Sequence, residues 1–209
     1  MGINFFYYEK YREACKKAAD LIKSQITLKP SSVLGLATGS TSVGIYEKLI
    51  QYYKDNEVNF SKCKSFNLDE YVGLEENNFQ SFHYYMYENL FNHINMSKEN
   101  INIPDGNARD VENYCKMYDE KIEELGGIDI QLLGIGQNGH IGFNEPGDCF
   151  KLYTHKEELK ESTIQNNARF FKSIGDVPKS AITMGLFTIF KAKKIIIMAA
   201  GEEKKEIFD

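Results

Sequence analysis

The chain has 209 residues, enough for one sizeable hydrophobic core, and a single domain spanning 1–209 is the default. A formal net charge of −5 with no basic stripe argues against binding nucleic acid by bulk electrostatics, so any phosphate must be held by a few placed groups. Cys15, Cys63, Cys115 and Cys149 are scattered without metal or redox spacing. The N-terminus is charged within its first dozen residues, and no apolar run reaches membrane-spanning length, so the expectation is a cytoplasmic protein with no membrane partner.

In chain order, Tyr8 to Ser24 places Tyr11, Cys15, Ala18, Leu21 and Ile22 at helical spacing. Ser32 to Ala37 reads as a short apolar strand, Thr38-Gly39-Ser40 as a turn, and Thr41 onward as a helix with a hydroxyl cap. Lys64 to Leu68 is a second strand that delivers Asp69 and Glu70 at its carboxyl end. Ser81 to His93 is an aromatic-rich helix, and Val111 to Leu125 a charged amphipathic one. The β-branched run Ile128 to Leu133 is a buried strand that runs into Gly134, Gly136 and Gly139. Residues 148–174 are polar and irregular with one short helix, a candidate lid. Ala181 to Met184, a helix from Leu186 to Lys191 and the strand Lys194 to Ala200 complete the alternation. Gly201 to Asp209 reads as the opening of a helix without a stop signal, the pattern of a C-terminally truncated chain. Strands alternating with helices predict an α/β fold: an open, mostly parallel sheet flanked by helices on both faces.

Ligands of such sheets bind outside the carboxyl ends of the strands, where three polar groups of this chain fall. Thr38 to Thr41 joins a strand to a helix N-terminus, where backbone amides, glycine and hydroxyls can cradle an anion; an ordinary capped turn reads as well. Arg169 and Lys204 are two cations that can converge on the same phosphate, although most Lys and Arg are solvated surface charges. Asp69 and Glu70 point to opposite sides of an extended backbone, so one can face the crevice and act as a base while the other is structural; a cap by Asp69 competes with this. Asn138 and His140 share a side if the backbone is extended, and Glu145 is near enough to reach the imidazole, the arrangement of a His acid–base pair. His83 and His93, on the aromatic helix, read as packing or surface residues.

Four motifs now carry a resemblance: TGST at 38–41, FNLDEYVGL at 66–74, GIGQNGHIGFNEPG at 134–147 and ARFF at 168–171. In this order and spacing they resemble the glucosamine-6-phosphate deaminase (isomerase) family along the whole chain. The resemblance implies a Rossmann-like fold and conversion of an amino-sugar phosphate, glucosamine 6-phosphate, to fructose 6-phosphate and ammonia with no cofactor or metal. Asp69 matches the enolisation base, and His140 the ring-opening acid–base residue with Glu145 and Asn138 as companions. Gly39, Ser40 and Thr41 match the phosphate loop, closed over by Arg169 and Lys204.

Three departures from the family pattern matter. Some members carry Asp where this chain has Asn138, which can orient but not ionise. His155 and Glu157 stand at two positions that are basic in members activated by N-acetylglucosamine 6-phosphate, so no such activation is expected, and a monomer is favoured over a homo-oligomer. The family also continues for several tens of residues beyond position 209. Two alternatives share the resemblance: a 6-phosphogluconolactonase-like hydrolase, against which FNLDEYVG argues because lactone hydrolysis needs no carbon-acid base, and a non-catalytic sugar-phosphate sensor, which would have little reason to keep Asp69, His140 and Glu145 together.

Overall fold

The computed structural model describes residues 2–136, 138–201 and 204. Its elements in chain order are α1 (Tyr11–Leu28), β1 (Val33–Leu36), α2 (Ser40–Lys54), β2 (Lys64–Asn67), β3 (Asp69–Tyr71), α3 (Phe82–Asn89), β4 (Ile101–Asn102), α4 (Val111–Glu124), β5 (Ile130–Gly134), β6 (His155–Glu158), α5 (Glu161–Asn167), β7 (Ser180–Thr183), α6 (Leu186–Phe190) and β8 (Ile195–Met198). Five strands pair in parallel in the order β4-β2-β1-β5-β8. The chain therefore builds outward from β1 through β2 to β4, then returns to the other side of β1 with β5 and β8. That reversal opens a crevice beyond the carboxyl ends of β1 and β5, where the loops 37–41 and 134–147 emerge.

Alternation along the strands divides the core. Leu34, Leu36, Ile130 and Leu132 face α1, α2 and α3, packing with Ile22, Tyr46, Leu49 and Met86. Val33, Phe66 and Leu133 face α4 and α6, packing with Tyr118, Ile122 and Ile189. Each fully buried large side chain contributes about 1.5–3 kcal/mol by leaving water. The two helical layers thus clamp the sheet and fix its carboxyl end.

Several expectations are corrected. The first helix starts at Tyr11 and continues to Leu28, because Ser24 and Thr27 satisfy their hydroxyls on the carbonyls of Asp20 and Lys23 without breaking it; Lys29 then turns extended before Pro30. No hydroxyl caps α2: its N-cap is Gly39, at φ 110°, a conformation a side chain would resist. A second, antiparallel sheet, β3-β7-β6, was not foreseen. Strand β6 has the sequence HKEE, with no apolar pattern, and is a strand because it pairs with β7; tertiary pairing overrides propensity. Within the segment 148–174, His155–Glu158 is therefore built into the sheet and Glu161–Asn167 into α5. The helix expected from 201 onward falls, apart from Gly201 and Lys204, outside the described residues.

Candidate active site

The loop after β5 carries the imidazole. Asn138 Oδ1 lies 2.6 Å from His140 Nδ1, and its Nδ2 donates to Glu145 Oε2 at 2.7 Å. Glu145 Oε1 accepts from the Thr163 hydroxyl on α5, and the Glu145 side chain is 4% exposed. The amide is oriented by its bond to the carboxylate, so its oxygen faces the ring and Nδ1 must carry the proton. Nε2 is left with its lone pair. Burial lowers the His140 pKa, the Glu145 charge opposes that, and the Lys204 charge adds to it, so the balance favours the neutral ring. Gly136 makes the arrangement possible, since a Cβ there would lie 2.2–2.3 Å from three ring atoms.

Asp69 lies against the same loop. It is 6% exposed, and its carboxyl is pushed up to about 8, by burial first and by the Glu70 charge second. A Cβ on Gly142, two residues after His140, would lie 3.3 Å from Asp69 Oδ2 and 2.8 Å from Thr183 Oγ1. The imidazole loop thus passes directly over the carboxyl, and only glycine permits the contact. The loop is fastened there by Phe143 N donating to Thr183 Oγ1 and by Asn144 Nδ2 donating to the carbonyls of Ile141 and Met184.

Glu70 takes the structural role left open between the two carboxylates. It accepts the backbone N–H groups of Tyr71, Phe82 and His83, the last two from the first turn of α3, while Ser81 caps Tyr84 N. Burial raises its pKa and these three donors oppose the rise. The cap considered for Asp69 belongs to its neighbour.

At the end of β1 the carbonyls of the anion loop are held away by tyrosines. Tyr46 donates to Ala37 O, Tyr85 to Gly39 O at 2.8 Å, and Tyr11 to Ser40 O and Thr41 O at 3.2 and 3.1 Å. Gly39 and Ser40 are exposed, and the helix α2 begins directly behind them. The cations stand differently. Lys204 is half-buried and acts electrostatically on His140, whereas Arg169 is exposed and lies over the Phe170 ring, 4.7 Å from its centroid. His83 stacks on Tyr87 and His93 meets Glu88 O, away from this chemistry. Thr163, Thr183 and the tyrosines escaped sequence reasoning, because hydroxyls far away in sequence carry no local pattern; the glycines at 136 and 142 were its one available signal. Among the described residues, no group of three or more His, Cys, Asp or Glu is arranged to hold a metal ion, and no helix is long and apolar enough to cross a membrane.

The loop after β5 thus holds an imidazole with a bare Nε2 and passes over a buried carboxyl, two groups whose chemistry suits proton transfer, and the N-terminus of α2, where backbone amides can meet an anion, follows the neighbouring strand β1.

The sequence matches the family described as glucosamine-6-phosphate isomerases/6-phosphogluconolactonase over residues 9–209. It is 56% identical over 196 residues to glucosamine-6-phosphate deaminase of Thermoanaerobacter sp. (strain X514), covering 94% of this chain and 78% of that protein. With the deaminase of Clostridium botulinum (strain Alaska E43 / Type E3) it shares 56% over 202 residues, 96% of this chain and 81% of the other. The fold superposes on a monomeric glucosamine-6-phosphate deaminase with a TM-score of 0.95 at 44% identity, covering 99% of this chain and 86% of that one. A 6-phosphogluconolactonase from Thermotoga maritima shares the fold, with a TM-score of 0.73 at 18% identity, over 98% and 86% of the two chains.

Proposed function

The chain belongs to the glucosamine-6-phosphate isomerase/6-phosphogluconolactonase family, and within it we infer a glucosamine-6-phosphate deaminase, an enzyme that converts glucosamine 6-phosphate to fructose 6-phosphate and ammonia. The reading fits the site better than lactone hydrolysis does, because a buried carboxyl tuned to about 8 suits removal of a proton from carbon.

The reaction uses the groups in turn. His140 Nε2 takes the proton of the anomeric hydroxyl and returns one to the ring oxygen, opening the pyranose. Glu145 and Asn138 hold the ring and keep Nδ1 protonated. Ionised Asp69 then removes the C2 proton, now beside a carbonyl; the electrons form the C1–C2 double bond of an enolamine, and the C1 carbonyl opens to a hydroxyl by taking a proton from water. Asp69 returns its proton to C1, and the nitrogen gives one back to solvent as the imine forms at C2. Water adds to that carbon, and the C–N bond breaks to give the ketone and ammonia.

The phosphate sits on Gly39, Ser40 and Thr41, whose carbonyls the tyrosines hold back, with Lys204 and Arg169 as the closing cations. Residues 1–209 act as one sugar-phosphate domain, and 148–174 is its lid, a reading supported by the contact of Thr163 with Glu145. The enzyme works as a monomer, as its 44% identical structural relative does, and without a cofactor. A cytoplasmic setting fits its four unpaired cysteines.

The single observation that carries the reading is the position of Asp69, buried and directly against Gly142 of the imidazole loop. The test is ammonia release from glucosamine 6-phosphate by the wild type and by Asp69→Asn. Turnover by the wild type that the variant loses is the expected result. A wild type that binds the sugar phosphate without releasing ammonia would overturn it.

A further inference from the structure

Among the described residues, five buried side-chain polar atoms have no hydrogen-bond partner, and four of them lie within residues 65–69: Ser65 Oγ, Asn67 Oδ1, Asn67 Nδ2 and Asp69 Oδ1. The fifth, Gln131 Oε1, belongs to a side chain that still donates to Leu132 O and fills the space beside Gly35. Asn67 is different, because its whole amide is idle at 0% exposure. A buried unpaired amide destabilises the fold, and an apolar side chain of the same shape would not.

Its placement points to use. Phe66 and Leu68 pack toward α4, so Asn67 turns to the opposite face of the strand. It is the last residue of β2, in register with Leu36 of β1, at the carboxyl edge where the anion loop departs. Asp69 follows two residues on, across the bend at Leu68, and its Oδ1 is unpaired as well, so one bound hydroxyl-rich molecule can satisfy both groups. A sugar that reaches Asp69, itself 6% exposed, must already enter the buried layer where Asn67 lies.

We propose that Asn67 is a substrate-contacting residue, its amide binding a hydroxyl or amino substituent beside the carbon that Asp69 deprotonates. An amide suits that task because it offers a donor and an acceptor to groups that carry both. This rests on the deaminase reading and names a further residue within that site.

The test compares the wild type with Asn67→Leu and Asn67→Ser, reading Tm, kcat and KM for glucosamine 6-phosphate, calorimetric affinity for that sugar phosphate, and affinity for inorganic phosphate as a probe of the anion loop alone. Asn67→Leu is expected to keep or raise Tm and to leave phosphate affinity unchanged, while kcat falls tenfold or more and sugar-phosphate affinity weakens. Asn67→Ser, with a donor and an acceptor, is expected to recover part of kcat. Undiminished kcat and sugar-phosphate affinity in Asn67→Leu, or a lowered Tm in both variants with normal kcat per folded molecule, would overturn the proposal. If the wild type releases no ammonia yet Asn67→Leu still loses sugar-phosphate affinity selectively, the deaminase reading fails and the contact stands.

Discussion

His140 and Asn138 meet through Nδ1 and Oδ1 at 2.6 Å, and the other end of the same amide is fixed by Glu145, so a neutral side chain decides which ring nitrogen is basic. Changing Asn138 to Asp replaces that amide with a charge beside both the ring and Glu145. The new carboxylate favours the imidazolium, so the His140 pKa, read by NMR titration of the imidazole, rises by roughly one pH unit or more. A His140 titration that keeps its midpoint in Asn138→Asp would show that residue 138 does not govern the ring.

Asp69 makes stability depend on pH. Its folded-state pKa, about 8, lies above the 3.8 of an ordinary aspartate, so the folded state holds a proton that the unfolded chain releases, and the wild type loses stability as pH rises between those values. Asp69→Asn escapes that loss. Urea unfolding should find the two proteins alike near pH 4 and the variant gaining on the wild type by about 1.4 kcal/mol per pH unit, levelling off near pH 8. The same ionisation should make wild-type kcat/KM rise with pH through a midpoint near 8, with its plateau above that.

Glu70 influences the chemistry without facing it. Its charge is one of the two causes that lift Asp69, so Glu70→Gln should lower the Asp69 pKa and carry the kcat/KM plateau to lower pH. Truncation to Ala has another effect: three backbone donors lose their acceptor, at a cost of about 2–3 kcal/mol in unfolding free energy.

The tyrosines of the anion loop should act on binding. Tyr85→Phe removes the 2.8 Å bond to Gly39 O and leaves the ring in place, so KM for glucosamine 6-phosphate is expected to rise about twofold to tenfold with kcat nearly unchanged. An equal fall in kcat and kcat/KM would place the residue in the chemical step instead.

Activation by N-acetylglucosamine 6-phosphate is not expected. Glu157 receives Lys151 at 2.7 Å and lies 3.2 Å from His155 Nε2, so the Lys151 cation already faces a carboxylate that would repel a phosphate. Saturation curves with and without the acetylated sugar phosphate should superpose.

Much of this protein was legible because its signals are local. The apolar run around Leu132 and the glycines behind it announced a buried strand and a sharp turn, and Asp69, Asn138, His140 and Glu145 fall where that pattern put them, at strand ends beside the crevice. Signals that depend on distant partners were silent. His155–Glu158 pairs with a strand more than twenty residues away, Thr163 reaches Glu145 across a loop, and Glu70 rather than Asp69 caps α3 because the bend after β2 turns it there. The idle amide of Asn67 is invisible in sequence, since only coordinates show what a buried group fails to touch.

The bond from Thr163 to Glu145 has one more consequence. Thr163 lies on α5, and Arg169 and Phe171 follow within eight residues, Phe171 packed edge-on to Tyr71. That stretch joins the Glu145 contact at one end to the Tyr71 ring contact at the other. Were it to swing outward, the hydroxyl would leave Glu145, the carboxylate that sets the Asn138 amide against the imidazole, so the orientation of the ring depends on a helix that contributes no atom to it.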